Sequence, residues 1–242
     1  MTSTNRPTIL LLAGHWLGAW AWDEVLAHLP ADHARAVAMT LPGLDPDDRG
    51  RTTRTLDDQV HAIRDAIAAH GDEPAVLVAH SGANAPVTLL LDRHPDLVTR
   101  VIWVDSGPVA DGSVLAPDLP VGVDELPLPP FDDLARQASL EGLSDDVLKR
   151  FGERAVPEPG PVLRQAVALS NDARRGVPTT LVCCSISGAQ VQALVQAGHP
   201  MFAEVGTLAD LDIIDLPTGH WPMWSRPRDL ADVILSAAAK TA

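Results

Sequence analysis

Short apolar runs alternate along the chain with longer segments whose apolar residues recur at a helical spacing. The runs predict strands and the longer segments predict amphipathic helices. The predicted strands cover 8–13, 34–39, 75–79, 101–104, 179–184 and 211–216. The predicted helices cover 20–29, 82–93, 191–197 and 228–239, with a further helix that begins at Thr55 and stops at Gly71. This alternation predicts an α/β protein with a mostly parallel central sheet of about six strands and helices on both faces.

The stretch 107–161 breaks the pattern, because it is rich in proline and acidic residues and has no strand-like run. It contains two short helical patterns, at 131–140 and 144–151. Insertions of this length in a compact domain are usually functional lids or disordered segments. The regular spacing of its apolar residues favours an ordered helical cap. The chain is therefore predicted to have a core made of 1–106 and 162–242, with a cap inserted at 107–161.

Composition and charge exclude several classes of function. The net charge is −14, from 32 acidic and 18 basic residues, so nucleic acid is not an expected partner. The apolar runs are too short to span a membrane, and residues 1–7 lack the apolar stretch of a signal peptide. We therefore expect a cytoplasmic protein. The sequence leaves its oligomeric state open, with a homodimer as one option.

The sequence offers no site for a metal or an organic cofactor. The only cysteines, Cys183 and Cys184, are adjacent in an apolar run, so they predict buried strand residues and not a zinc site. No phosphate-binding glycine motif occurs, and the chain has no tyrosine to act as an acid. We expect a protein without metal or cofactor.

Ser81 follows an apolar run and precedes a predicted helix, within Val78-Ala79-His80-Ser81-Gly82-Ala83. A tight strand-to-helix turn at this point would push the serine hydroxyl out over the end of the sheet, as a nucleophile requires. The positions two before and two after such a serine must be small. Ala79 and Ala83 meet that requirement, although glycine is usual at both. The alternative interpretation is a serine that only caps the following helix.

His220 lies in a short loop after the last predicted strand, directly after Gly219. Serine is a weak nucleophile at neutral pH, so a base must take its proton as it attacks. A histidine at a strand end, later in the chain than the serine, suits that role. Of the nine histidines, only His220 combines a strand end, a flanking glycine and the final loop. It is the predicted general base.

The segment from Gly14 to Trp22, GHWLGAWAW, resembles the loop after the first strand of plant methylesterases and hydroxynitrile lyases, which has the form HGxxHGAWxW. Ala13 stands where that family has histidine. The resemblance also includes Leu41-Pro42-Gly43, the turn at Ser81 and the loop with Gly219-His220. It therefore covers nearly the whole chain apart from the cap. It implies an α/β-hydrolase fold without the two extra N-terminal strands of larger relatives.

The same resemblance implies where the oxyanion is held. In the family, the backbone N–H after the loop glycine pairs with the N–H after the nucleophile to bind the developing negative charge. By position, these are the amides of His15 and Gly82. Because main-chain groups do this work, the side chain of His15 has no required part and is expected to line the pocket or to bond locally.

The position of the catalytic acid is the least determined part of the site. Many relatives place it after the strand that corresponds to 179–184, but the loop 185–190 has no carboxylate. Haloalkane dehalogenases and the zearalenone lactonases place it after the preceding strand, and Asp105 stands there, twenty-four residues after Ser81. A carboxylate at that place would accept the second ring N–H of His220 and fix its tautomer. Asp111 is the second candidate, and a turn-forming role for Asp105 is the alternative.

These features predict a serine hydrolase that cleaves a carboxylic ester or lactone of a hydrophobic small molecule through a Ser-His-Asp triad and an acyl-enzyme. Trp16 and Trp221 flank the site and are expected to line an apolar pocket. A hydroxynitrile-lyase-like reaction is one alternative, although such lyases commonly use a lysine near the site and the only lysines are Lys149 and Lys240. A non-catalytic receptor for a small molecule is the other alternative.

Overall fold

A computed structural model describes residues 8–30, 35–71 and 73–241. Six longer strands form one parallel sheet, in the order β2-β1-β3-β4-β7-β8, and two short strands, β5 and β6, form an antiparallel pair. The strands are β1 (Thr8–Leu12), β2 (Arg35–Met39), β3 (Ala75–His80), β4 (Val98–Val104), β5 (Glu125–Leu126), β6 (Glu158–Pro159), β7 (Thr179–Cys183) and β8 (Leu211–Asp215). The predicted parallel sheet of six strands is confirmed.

Helices connect most of the strands and cover both faces of the sheet. Those in the described residues are α1 (Asp23–Leu26), α2 (Leu56–Ala69), α3 (Asn84–Arg93), α4 (Phe131–Leu134), α5 (Asp145–Arg154), α6 (Gly160–Arg164), α7 (Gly188–Gln196), α8 (Pro222–Ser225) and α9 (Pro227–Ala238). A capping box begins α2, since the side chains of Thr55 and Asp58 each accept the backbone N–H of the other. Within the described ranges, every helix is too short or too polar to cross a bilayer.

The apolar side chains of the strands alternate between two cores, one on each face of the sheet. On one face, Leu10 of β1 lies in a buried cluster with Ile63 of α2 and Leu89 of α3. On the other face, Leu11 of β1 lies in a second cluster with Ile234 of α9. Successive side chains of a strand point to opposite faces, so a parallel strand that is apolar throughout must be covered on both.

Several predicted elements differ from the structure in length. The helix predicted at 20–29 is present only in part, because Ala19–Trp22 is a 3₁₀-helix and α1 after it spans only four residues. Trp20 there stacks on Trp224, with ring centroids 5.6 Å apart, and the guanidinium of Arg154 lies 4.5 Å above the same ring. The strand predicted at 101–104 begins at Val98. Position 34, predicted as the start of a strand, lies outside the described residues.

The connection between β4 and β7 contains more regular structure than its sequence indicates. The expectation of no strand was wrong, because β5 and β6 pair across it. The helical pattern at 131–140 forms only the single turn of α4, whereas the pattern at 144–151 forms α5, capped by Ser144. Phe151 of α5 packs on Trp221 and Trp224, at ring distances of 5.5 and 5.1 Å. The boundaries between the predicted cap and the core, at 107 and 161, stay a prediction.

Candidate active site

Ser81 stands at the turn between β3 and α3, on a short 3₁₀-helix that spans Ser81–Ala83. Its φ of +49° lies in the left-handed region, as a sharp strand-to-helix turn requires. Ala79 and Ala83 on either side are completely buried, so larger side chains there would have no room. The hydroxyl of Ser106 donates to the Ser81 carbonyl at 3.1 Å and helps to hold the turn. The structure therefore gives Ser81 the sharp strand-to-helix turn that its sequence predicts.

His220 reaches Ser81 from the loop after β8. Its Nε2 lies 2.8 Å from Ser81 Oγ, and its Nδ1 lies 2.6 Å from Asp105 Oδ2. The His220 N–H donates to the carbonyl of Ser139 at 2.8 Å, which ties the histidine loop to the segment between β4 and β7. Three residues separated by 24 and 115 positions thus form one continuous chain of hydrogen bonds.

Asp105 lies directly after β4 and is held by four donors. Its Oδ1 accepts the backbone N–H groups of Cys184 and Ser185, at 3.0 and 2.8 Å. Its Oδ2 accepts the Ser185 hydroxyl at 2.7 Å as well as His220 Nδ1. Burial by itself would raise the pKa of the Asp105 carboxyl, but the bonds from His220 and Ser185 outweigh burial, so the pKa lies below its ordinary value. The group is an anion at neutral pH.

Asp111, the second candidate for the acid, lies elsewhere. Its Oδ1 accepts the backbone N–H of Leu169 at 2.8 Å, in the connection between β4 and β7. Asp105 and not Asp111 therefore contacts His220. The loop after β7, which lacks a carboxylate, contributes Ser185 as a donor to Asp105 instead. Sequence reasoning did not identify Ser185, because its role depends on the distance between two strand ends.

Backbone strain is concentrated at this site. Among the described residues other than glycine, only Trp16, Ser81 and Asp105 have a positive φ, at 64°, 49° and 44°. Such conformations cost on the order of 1–3 kcal/mol each and persist where the surrounding structure enforces them. All three residues follow the carboxyl ends of neighbouring strands, β1, β3 and β4. Ser81 and Asp105 also belong to the chain of hydrogen bonds, and Trp16 lines the same cavity.

His80, which sequence reasoning missed, lies beneath the histidine loop. Its Nε2 lies 2.8 Å from the carbonyl oxygen of His220, and its Nδ1 accepts the N–H of Gly14 at 3.4 Å. Burial, followed by the proximity of His220, lowers the pKa of His80 to about 3. His80 is therefore neutral, with its proton on Nε2, and it links the loop after β1 to the loop that carries the base. A histidine directly before the nucleophile was the available signal.

Gly14, in the loop after β1, touches the nucleophile turn. A Cβ built on Gly14 would lie 2.6 Å from Ser81 Cβ, 2.9 Å from the Gly82 nitrogen and 3.0 Å from the His80 carbonyl oxygen. The two loops therefore pack backbone to backbone, and His15 and Gly82 both line one cavity with Ser81. The oxyanion-binding role of the His15 and Gly82 amides stays a prediction. The close contact between Gly14 and the turn at Ser81 provides a way to test it.

We expect Gly14→Ala to lower kcat by about a hundredfold, because the added methyl group must push the His15 and Gly82 amides apart. Gly122→Ala is the matched control, since nothing lies within 4 Å of its added Cβ. Steady-state kinetics on a p-nitrophenyl ester would measure both variants, with circular dichroism to confirm folding. A folded Gly14→Ala protein with normal kcat would contradict the predicted oxyanion site.

A cavity of about 700 Å³ opens beside Ser81. All seven site residues predicted from the sequence line it, including Trp16 and Trp221. Trp221 is buried, and its ring lies edge-on to the His220 ring at 4.8 Å. Much of the remaining wall is apolar, from Leu115, Leu134, Ile186, Val191, Phe202 and Val205. The cavity can enclose a largely apolar small molecule.

Cys183 also lines this cavity, but its chemistry does not compete with that of Ser81. Both cysteines are buried, as the sequence predicts. Burial raises the pKa of the Cys183 thiol to about 11, and it also raises the pKa of Cys184. A protonated thiol is a poor nucleophile at neutral pH. Of the two groups, the Ser81 hydroxyl, 2.8 Å from His220 Nε2, is therefore the better candidate nucleophile.

Two curated plant proteins are similar to part of the chain. Methylesterase 4 of Arabidopsis thaliana is 27% identical over 161 residues, which cover 65% of this chain and 56% of the relative. Esterase PIR7B of Oryza sativa subsp. japonica is 30% identical over 150 residues, 60% of this chain and 51% of the relative. The chain therefore spans about half the length of these two relatives.

A solved structure is similar over nearly the whole length. It is an extracellular alpha/beta-hydrolase from a Paenibacillus species, which shares structural and functional homology with tobacco salicylic acid binding protein 2. The TM-score is 0.76 and the identity 19%, with 96% of this chain and 98% of the other covered. At this identity, the similarity establishes the fold. The model of the alpha/beta hydrolase family matches residues 9–233, which include every element of the site described above, and the chain belongs to that family.

Proposed function

We propose that the protein hydrolyses a carboxylic ester of a hydrophobic small molecule, with Ser81 as nucleophile. The observation that carries this proposal is the unbroken chain from Ser81 Oγ through His220 to Asp105, at 2.8 and 2.6 Å. Membership of the alpha/beta hydrolase family supports a hydrolase, and the similarity to a methylesterase and an esterase supports an ester as substrate. A lactone, which is a cyclic ester, falls within the same proposal.

In the first half of the reaction, Ser81 Oγ attacks the ester carbonyl carbon while His220 Nε2 takes the hydroxyl proton. The Asp105 carboxylate accepts Nδ1–H throughout, so it keeps Nε2 free to accept and stabilises the imidazolium that forms. The carbonyl oxygen becomes an anion, which the His15 and Gly82 amides hold. The C–O bond to the alcohol then breaks, and His220 gives its proton to the departing oxygen.

The second half repeats these steps with water. His220 Nε2 removes a proton from a water molecule, whose oxygen attacks the acyl carbon bound to Ser81. The tetrahedral intermediate collapses, the carboxylic acid leaves, and the proton returns to Ser81 Oγ. No metal, nucleotide or redox group takes part in either half. The burial of Asp105 and Trp221 around His220 keeps bulk water from weakening these contacts.

The two alternatives from the sequence gain no support from the site. Lys149 lies near Glu153 and Lys240 bonds Asp212, and neither lysine lines the cavity. A hydroxynitrile-lyase-like reaction would therefore lack the usual lysine. A receptor would not need a base and an acid aligned on a serine. The experiment that follows separates an activated serine from a pocket that only binds.

An organophosphonate probe tests the proposal directly. We expect intact-mass spectrometry to show one covalent adduct, and peptide mapping to place it on Ser81, because phosphorus is attacked only by an activated hydroxyl. Ser139→Ala, which removes another hydroxyl from the cavity wall, should be labelled like the wild type. Ser81→Ala should not be labelled. An unlabelled wild-type protein, or an adduct that persists in Ser81→Ala, would overturn the assignment of the nucleophile.

A further inference from the structure

A second histidine–carboxylate pair lies next to the cavity, with His15 on the cavity wall and Glu158 buried outside the lining. His15 Nδ1 lies 3.2 Å from Glu158 Oε2, and the same oxygen accepts the backbone N–H of Trp16 at 3.3 Å. The Glu158 side chain is only 3% exposed, whereas 22% of the His15 side chain is exposed, on the cavity side. The reaction as described uses only the backbone of His15, so it gives this imidazole no role.

Glu158 orients the imidazole ring of His15 through a contact with Nδ1. Among the described residues, no lysine or arginine pairs with Glu158, so its buried carboxylate depends on the Trp16 amide and on His15. At 3.2 Å, the Glu158 oxygen accepts a hydrogen bond from the Nδ1–H of His15. The ring tautomer that has its proton on Nδ1 presents Nε2 as a hydrogen-bond acceptor. The described part of the chain offers Nε2 no hydrogen-bond partner, and a substrate group can supply one.

Gly82 shows where Nε2 lies. A Cβ built on Gly82 would be 2.4 Å from His15 Nε2 and 2.5 Å from each neighbouring ring carbon. The tip of the imidazole therefore rests over the Gly82 Cα, next to the amide that is expected to hold the substrate oxyanion. A side chain at position 82 would displace the ring. The absence of a side chain at Gly82 therefore leaves the space that the His15 ring occupies.

The position of the His15 ring indicates which part of the ester it can contact. The departing alcohol must face His220 Nε2, because that atom gives it a proton. His15 lies instead beside Gly82, where the carbonyl oxygen is expected to bind. A group in contact with His15 Nε2 therefore belongs to the acyl part of the ester, close to the scissile carbonyl.

We propose that His15, held by Glu158, is a specificity-determining residue that accepts a hydrogen bond from a hydroxyl group on the acyl chain. The proposal rests on the proposed esterase function and narrows it to esters of hydroxy acids. Such a bond favours the correct substrate because an acyl chain without a donor leaves Nε2 unpaired in a mostly apolar cavity.

Two esters that differ by the O–H donor and by one methyl group measure this preference. Ethyl 3-hydroxybutyrate carries an O–H near the carbonyl, and ethyl 3-methoxybutyrate keeps the oxygen but cannot donate. The selectivity is kcat/KM for the hydroxy ester divided by kcat/KM for the methoxy ester. This ratio cancels any loss of activity that affects both esters, such as one caused by displaced oxyanion amides. We expect His15→Phe to lower the selectivity by about tenfold, the effect of one hydrogen bond. His61→Phe, the same change at an exposed histidine of α2 outside the cavity lining, should leave the selectivity unchanged.

Glu158→Gln provides a second test that does not depend on His15→Phe folding. The glutamine oxygen can still accept the Trp16 N–H, while its amide can donate to His15 Nδ1 and so move the ring proton to Nε2. The ring then donates, the methoxy ester becomes an acceptable partner, and the selectivity falls. Circular dichroism would confirm folding of each variant.

The outcomes separate this inference from the proposed function. If the wild type hydrolyses ethyl butyrate but neither His15→Phe nor Glu158→Gln lowers the selectivity, the proposed role of His15 is overturned. The proposed esterase function would still stand. A wild-type preference for the methoxy ester that disappears in His15→Phe would make His15 a donor and would also overturn the proposal. If no ester is hydrolysed and Ser81 is not labelled, the proposed function itself fails.

Discussion

Replacing Ser81 with alanine is expected to remove several orders of magnitude from kcat on a p-nitrophenyl ester. The hydroxyl oxygen is the only atom that the change removes, and it is the atom 2.8 Å from His220 Nε2. The turn itself should survive, because Ser106 bonds the backbone carbonyl of residue 81 and not its side chain. Thermal unfolding should therefore stay close to that of the wild type while turnover disappears.

The control for this change is Ser144→Ala, which removes a hydroxyl that caps α5 outside the cavity. It should cost about 1 kcal/mol of stability and leave turnover unchanged. Both proteins should be purified from a host without interfering esterases. A Ser81→Ala protein that keeps more than about a tenth of wild-type kcat would show that another group performs the attack.

Replacing Asp105 with asparagine should cost on the order of a thousandfold or more in kcat. The structure indicates why. The Cys184 and Ser185 amides donate to one carboxylate oxygen, so the asparagine oxygen must remain there. Its NH₂ group is then forced onto the side that faces His220 Nδ1. An NH₂ group can only donate to Nδ1, which moves the ring proton to Nε2 and leaves His220 unable to accept a proton from Ser81.

Asp111→Asn is the matched control, because its oxygen can still accept the Leu169 N–H and its side chain does not contact His220. We expect near-normal kcat for this variant. Both proteins should be assayed at saturating substrate across roughly pH 6 to 9, a range that brackets the ordinary histidine pKa. Normal turnover by a folded Asp105→Asn protein would remove Asp105 from the mechanism and favour a serine–histidine pair without an acid.

The sequence by itself determined the architecture and the main residues of the site. Its apolar runs are continuous because parallel strands are covered on both faces, so the six strands could be recognised locally. Ser81, Asp105 and His220 each follow such a strand. Because the carboxyl ends of parallel strands share one edge of the sheet, the sequence could predict that these side chains lie close together. The choice of Asp105 over Asp111 also relied on the resemblance to families that place the acid after this strand.

The periodicity of the sequence failed to predict elements whose conformation depends on contacts with residues far away in the chain. The strands β5 and β6 contain two residues each, too few for any period to show, and they are joined by pairing across more than thirty positions. The segment from Ala19 to Leu26 has helical spacing, but the stacking of Trp20 on Trp224 sets its shape. In both cases, tertiary contacts outweigh intrinsic preference.

The tertiary structure alone decided which side chains support the predicted site. His80 bonds a backbone carbonyl 140 positions away, Ser185 bonds Asp105 across 80 positions, and Glu158 reaches the Trp16 amide across 142. Apart from the position of His80 directly before Ser81, nothing in the neighbouring sequence marks these roles, since buried polar groups find partners by proximity in space and not in sequence. The sequence could therefore predict the attacking chemistry, whereas the residues that hold it in place, and the partner of His15, depend on how distant loops pack together.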